Sequence, residues 1–166
     1  MAEPTPCHDG PLEPLLILGT KRTDFATELD SALRRQGLAT TLHDHFVPRD
    51  EFLELLARHP IVVCCPNLAE GFYLPALEAM GRRAFVVCPD CIGNRGFCID
   101  EETCLFPEYT LDAMVEAALR ARRLPSDEFD RIRARGGRMA QSHSLDRERA
   151  SFLRLLDRLV ETRNES

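Results

Sequence analysis

The chain has 166 residues, 44% of them hydrophobic and 29% charged, with a formal net charge of −6. That length supports one domain with its own core, and the composition excludes a disordered chain. The acidic balance argues against a nucleic-acid-binding surface, which needs net positive charge or a basic stripe, and no apolar run approaches the ~20 residues of a membrane span.

Residues 1–13, rich in Pro and polar side chains, read as a flexible lead without the basic start and apolar stretch of a secretory signal. A cytoplasmic protein is expected, with its seven cysteines reduced. The domain proper is expected over 14–166. Residues 15–19, LLILG, form a short continuous apolar run, as in a strand buried on both faces. Residues 24–36 put Phe25, Leu29, Ala32 and Leu33 on one helical face, with Thr23 or Asp24 to cap it and Gly37 to stop it. A second strand spans 38–44, and Pro48 opens a helix carrying Phe52, Leu55 and Leu56, closed by Pro60. IVVCC at 61–65 is the third strand, followed by a loop to Gly71 and a helix with Pro75 in its first turn. AFVVC at 84–88 is the fourth, and after a long turn-rich loop CLF at 104–106 is a short fifth.

Residues 111–123 form an amphipathic helix. Another starts at Ser126 with a capping-box pattern and is interrupted at Gly136–Gly137. A last helix covers 144–163 with Leu145, Phe152, Leu155, Leu156 and Leu159 as its stripe. The arginines between 120 and 138 interleave with Asp127, Glu128 and Asp130, as on a solvated helix surface. Strands alternating with helices predict an α/β, Rossmann-like doubly wound parallel sheet of about five strands, with helices on both faces and a helical C-terminus.

In such sheets ligands bind outside the carboxyl ends of the strands. The segment EGFYLPALEAM, residues 70–80, begins at that end of the third strand. The helix it enters points free backbone N–H groups and a positive dipole end at the crevice, which makes an anion site. Gly71 lets the backbone approach a phosphate closely. Two carboxylates beside a phosphate site repel phosphate but accept from sugar hydroxyls, as an acid does on ribose in dinucleotide-binding folds. Glu70 and Glu78 therefore point to a nucleotide-sugar, with the diphosphate at the helix start and one acid on each sugar.

EGFYLPALEAM, with GRRAFVVCPDCIGNRGFCIDEETCLF behind it, resembles the donor-binding half of retaining, two-domain (GT-B fold) glycosyltransferases. The resemblance spans roughly 46–123 and continues more loosely into SHSLDRERASFLRLLDRL. It implies a catalytic contact of Glu70 with the transferred sugar, and donor binding by Asn67 in the NLAEG loop. It also implies backbone N–H groups of Gly71, Phe72 and Tyr73 on the diphosphate, Glu78 on the ribose, and Asn94 and Arg95 on the opposite rim. Lys21 and Arg22, at the end of the first strand, are inferred to neutralise the leaving diphosphate, so that transfer needs no metal or other cofactor. The family's opening βα unit and acceptor-binding domain are not visible, which implies a separate acceptor-binding polypeptide or self-association. The alternative is a non-catalytic nucleotide-sugar-binding module, or a remnant without turnover, that regulates or complements a partner.

Other readings stay open at this level. Cys88, Cys91, Cys98 and Cys104 include a C-x2-C pair, as in zinc sites, although Cys88 ends an apolar strand. A redox role for CPDC needs a helix N-terminus that IGNRG does not provide. His43 and His45 around Asp44 fit a metal, a base or a polar loop, and His59 and His143 fit helix ends. No G-x-G-x-x-G or Walker loop follows the first strand, which disfavours other nucleotide enzymes.

Overall fold

The computed structural model describes Leu12 and residues 14–143. The rest of the expected lead, and the helix expected over 144–163, lie outside the described residues. Four parallel strands form one sheet: β1 (Leu15–Leu18), β2 (Thr40–His43), β3 (Ile61–Cys64) and β4 (Phe85–Val87), in the order β2-β1-β3-β4. Leu16 stands opposite Thr41 on one side and Val62 on the other, and Val63 opposite Val87. Every residue of β1, β3 and β4 is buried, so these strands are apolar throughout instead of alternating.

Helices α1 (Thr23–Arg35), α4 (Leu111–Arg123) and the first half of α5 (Ser126–Ser142) cover one face. Leu15, Ile17, Val63 and Phe85 pack there on Leu29, Leu33, Met114, Phe129 and Ile132. Helices α2 (Arg49–Arg58) and α3 (Leu74–Gly81) cover the other, where Leu16, Val62 and Val86 meet Leu56, Leu77 and Met80. The end of α5 joins this second layer through Met139 and Ala140, so α5 passes around the β4 edge of the sheet.

The structure departs from sequence expectation at the fifth strand, at Gly136–Gly137 and at the helix caps. The fifth strand is reduced to one bridge between Val87 and Leu105, although Leu105 N–H donates to the Val86 carbonyl and its carbonyl accepts from Cys88 N–H. The turn at 99–103, tied by Thr103 Oγ1 at 2.8 Å from Ile99 N, and Pro107 leave no room for a longer ladder. Helix α5 runs unbroken through Gly136–Gly137, because a Cβ at Gly136 would lie 2.8 Å from the Thr103 carbonyl oxygen and 3.2 Å from Met80 Cγ. Glycine there permits close packing of α5 on α3 instead of ending the helix. Caps also differ: no side chain caps α1 or α5, and Ser126 lies in the first turn behind Pro125. Thr110 caps α4 by accepting from Ala113 N–H at 3.3 Å.

The strand order fixes where a ligand can enter. From β1 the chain crosses through α1 to β2, returns through α2 past β1 and enters β3. The two crossovers diverge on opposite faces, and the loops after β1 and β3 flank a topological switch point.

Candidate functional site

At the switch point, Gly19 turns the chain tightly against α1; a Cβ there would lie 2.5 Å from Ala26 Cβ. Lys21 follows and reaches across to the loop after β3, with Nζ 3.6 Å from Glu70 Oε1. Asn67 Nδ2 donates to the same oxygen at 3.3 Å. Both polar contacts fall on Oε1. Glu78 lies in the second turn of α3, with Arg49 Nη1, from the start of α2, 2.5 Å from Oε1. That oxygen is buried, and no N–H points along a hydrogen-bonding direction at it. The contact is therefore an ion pair. Each acid of the 70–80 segment is thus matched by a cation from another part of the chain.

Between the acids, the loop runs to Tyr73, two residues further than expected. The Tyr73 N–H donates to the Gly93 carbonyl at 3.1 Å and the Ile92 N–H to the Leu68 carbonyl at 3.2 Å. Gly93 packs so closely that a Cβ there would lie 2.6–2.8 Å from the Glu70 carbonyl oxygen, Phe72 N and Gly71 C. The turn after β4 is therefore a buttress beneath the loop. Asn94 is fully buried inside it: Oδ1 accepts from Cys91 N–H at 3.2 Å, and Nδ2 donates to the Pro89 carbonyl at 2.8 Å and to Cys88 Sγ at 3.2 Å.

The sequence-derived site residues thus divide. Lys21, Asn67, Glu70, Gly71, Phe72 and Glu78 gather around the crevice, and among the described residues no backbone carbonyl takes the N–H of Gly71 or Phe72. Tyr73 is buried with its N–H engaged, and the Asn94 amide is engaged within the buttress. Arg95 makes a double hydrogen bond to Asp90 at 2.8 and 2.7 Å, which holds the Asp90 carboxyl below its usual range. Arg22 sets its guanidinium over Tyr109 and Phe25, 5.2 and 5.6 Å from the ring centroids. The Tyr109 hydroxyl in turn holds the Pro66 carbonyl at 2.7 Å, so Arg22 and Tyr109 brace the start of the loop.

Two grooves meet at Arg49. One, of about 520 Å³, is lined by Lys21, His43, His45, Phe46, Phe52 and Arg49. The other, of about 770 Å³, runs past Phe72, Leu74, Leu77 and Glu78 to His143. His43 is buried, its ring 5.7 Å from Phe52 and 5.2 Å from His45; burial, then the neighbouring His45, lowers its pKa. His59 closes α2 by hydrogen bonding to the Leu55 carbonyl at 2.7 Å. A carbonyl only accepts, so Nδ1 carries a proton, and Nε2 lies 3.2 Å from the Thr41 hydroxyl oxygen. At the end of α5, His143 Nδ1 lies 3.0 Å from the Met139 carbonyl.

Among the described residues no group of three or more His, Cys, Asp or Glu is placed to hold a metal ion. Burial pushes the Cys65 thiol up to about 12 and the Cys91 thiol up to about 11, so both stay protonated. Sequence reading missed Arg49 and Gly93. Arg49 had one local signal: a cation in the first turn of a helix, where the dipole disfavours it. Gly93 had none, since IGN reads as an ordinary turn.

Four parallel strands with helices on both faces, and paired acids at the switch point of the sheet, define a Rossmann-like type of domain. Residues 11–123 match the family described as glycosyl transferases group 1, and the chain belongs to that family. No curated protein matches it. Among solved structures it resembles the C-terminal domain of the group 1 glycosyl transferase LpcC of Francisella tularensis, with 24% identity, a TM-score of 0.56, and coverage of 72% of this chain and 62% of that one. It resembles S. aureus TarM, solved in complex with UDP, at 16% identity and a TM-score of 0.68, over 91% of this chain and 38% of that one. The α,α-trehalose 6-phosphate synthase of Burkholderia multivorans aligns at 12% identity and a TM-score of 0.69, over 89% of this chain and 43% of that one. These likenesses show a Rossmann-like domain of the GT-B fold. The chain spans between 38% and 62% of the length of these three structures.

Proposed function

We propose that this domain binds a nucleotide-diphosphate sugar and presents the sugar for transfer to an acceptor, with retention and without a metal. One observation carries the reading: Glu70 and Glu78, each held by a cation, flank a loop whose Gly71 and Phe72 N–H groups meet no backbone carbonyl among the described residues. The diphosphate fits those N–H groups and the start of α3. Glu70 then faces the transferred sugar and Glu78 the ribose, while the aromatic walls of the groove at His43, Phe46 and Phe52 suit a planar base. Lys21 lies close enough to Glu70 to neutralise charge on the departing diphosphate, the role a metal would otherwise take. Phe46, Leu68, Phe72, Leu74 and Ile92 are exposed large hydrophobics on segments following β2, β3 and β4, which supports an acceptor-bearing domain or second chain closing over the donor.

Titration calorimetry with UDP, GDP and ADP and their sugars tests this. Loss of a hydrogen bond to a charged group is worth about ten- to hundredfold in affinity. Glu78→Ala is expected to weaken the bare nucleotide by that amount, whereas Glu70→Ala removes only the extra affinity contributed by the sugar. Equal losses for both variants with bare nucleotide would overturn these roles.

A further inference from the structure

Glu78 is placed so that its own environment does not satisfy it. Oε1 is buried with no directed hydrogen bond, and the compensating charge comes from Arg49, whose side chain is 68% exposed against 14% for Glu78. A carboxylate oxygen removed from water needs a partner. Here that partner reaches in from solvent, 29 positions earlier in the chain (78 − 49).

The position of Arg49 has no explanation in helix α2 itself. It occupies the first helical residue, where the dipole disfavours a cation. Asp50 and Glu51 follow directly, but residues one and two positions apart do not face each other on a helix. The guanidinium instead crosses to α3, at the point where the two grooves meet. In a nucleoside diphosphate the ribose is likewise the middle of the molecule, between the base and the anion. The positive charge 2.5 Å from Oε1 draws the carboxylate toward α2 by ion-pair attraction and leaves the other oxygen to accept from a hydroxyl.

We propose that Arg49 is a positioning residue that sets the Glu78 carboxylate for the ribose hydroxyls, and so makes the site select ribonucleotides over deoxyribonucleotides. This rests on the reading of Glu78 as the ribose acceptor. Arg49 does not grip the diphosphate; it acts through Glu78.

The test is calorimetric titration of UDP, GDP and ADP beside their 2′,3′-dideoxy counterparts, on the wild-type chain and on Arg49→Gln. A site built to hydrogen-bond a hydroxyl rejects the analogue lacking it, so the wild type is expected to prefer the ribo form at least about tenfold. In Arg49→Gln that preference falls to within about twofold, while affinity for the dideoxy form stays within about threefold of wild type. A retained preference in Arg49→Gln overturns the proposal. So does an equal loss for both ligands, which would place Arg49 on the diphosphate or reflect general loosening. A wild type that binds nucleotides without preferring ribose, or that binds none, defeats the reading of Glu78 itself, and with it this inference.

Discussion

Gly71 and Gly93 lie in facing loops but do different work. Around Gly71 nothing approaches within 4 Å of a built Cβ, so its openness serves whatever occupies the crevice. Gly93 is pressed against the backbone of residues 70–72, and backbone cannot yield as a side chain tip does. Gly93→Ala is therefore expected to cost about 1–3 kcal/mol of stability and to displace the N–H groups of the loop. Thermal melts should show the loss for Gly93→Ala and almost none for Gly71→Ala, while calorimetry shows weakened nucleotide binding for both. The two glutamates were legible as a pair because their spacing, glycine and proline occur together in one short stretch. Lys21 and Arg49 were not legible as their partners. Lys21 lies 49 positions (70 − 21) from its acid, and Arg49 sits on another helix.

Helices and strands were the most legible features, since apolar periodicity and turn residues are local. The expected 111–123 helix coincides with α4. The errors came where an element's neighbour overrides its own preference. The glycines of α5 look like a break until Met80 and the Thr103 carbonyl are seen against Gly136. The short β2 has a consequence for pH. Its last residue, His43, has a pKa lowered from the usual 6.5, chiefly by burial. The folded chain then binds fewer protons there than the unfolded chain, so stability rises with pH across that window. The contribution is present above pH 6.5 and is lost as pH falls through the lowered value. Urea midpoints at pH 7.5 and 5.5 are expected to show a drop, and His43→Gln to reduce it.

The cysteine content and the sheet together set the chemical character of the whole domain. All six cysteines of the described residues are free and buried: Cys64 and Cys65 at the end of β3, Cys88, Cys91 and Cys98 in the segment after β4, and Cys104 beyond the turn at 99–103. A thiol reagent is expected to leave these six unmodified in the native protein and to reach them only after unfolding in guanidinium. Zinc analysis of protein purified without chelator is expected to find less than one ion per chain, because the CPDC pair belongs to the packed buttress and not to a ligand set.

The primary structure alone established the alternation of strands and helices, the apolar strands buried on both faces and the acids at the third crossover. Each of these is written in residues near one another in the chain. The placement of β1 between β2 and β3 was decided only by folding, because strand order depends on which apolar faces bury each other across long separations. That order brings Lys21 to Glu70, Arg49 to Glu78 and Gly93 beneath the loop, and so gathers two glutamates on a crossover into the candidate site.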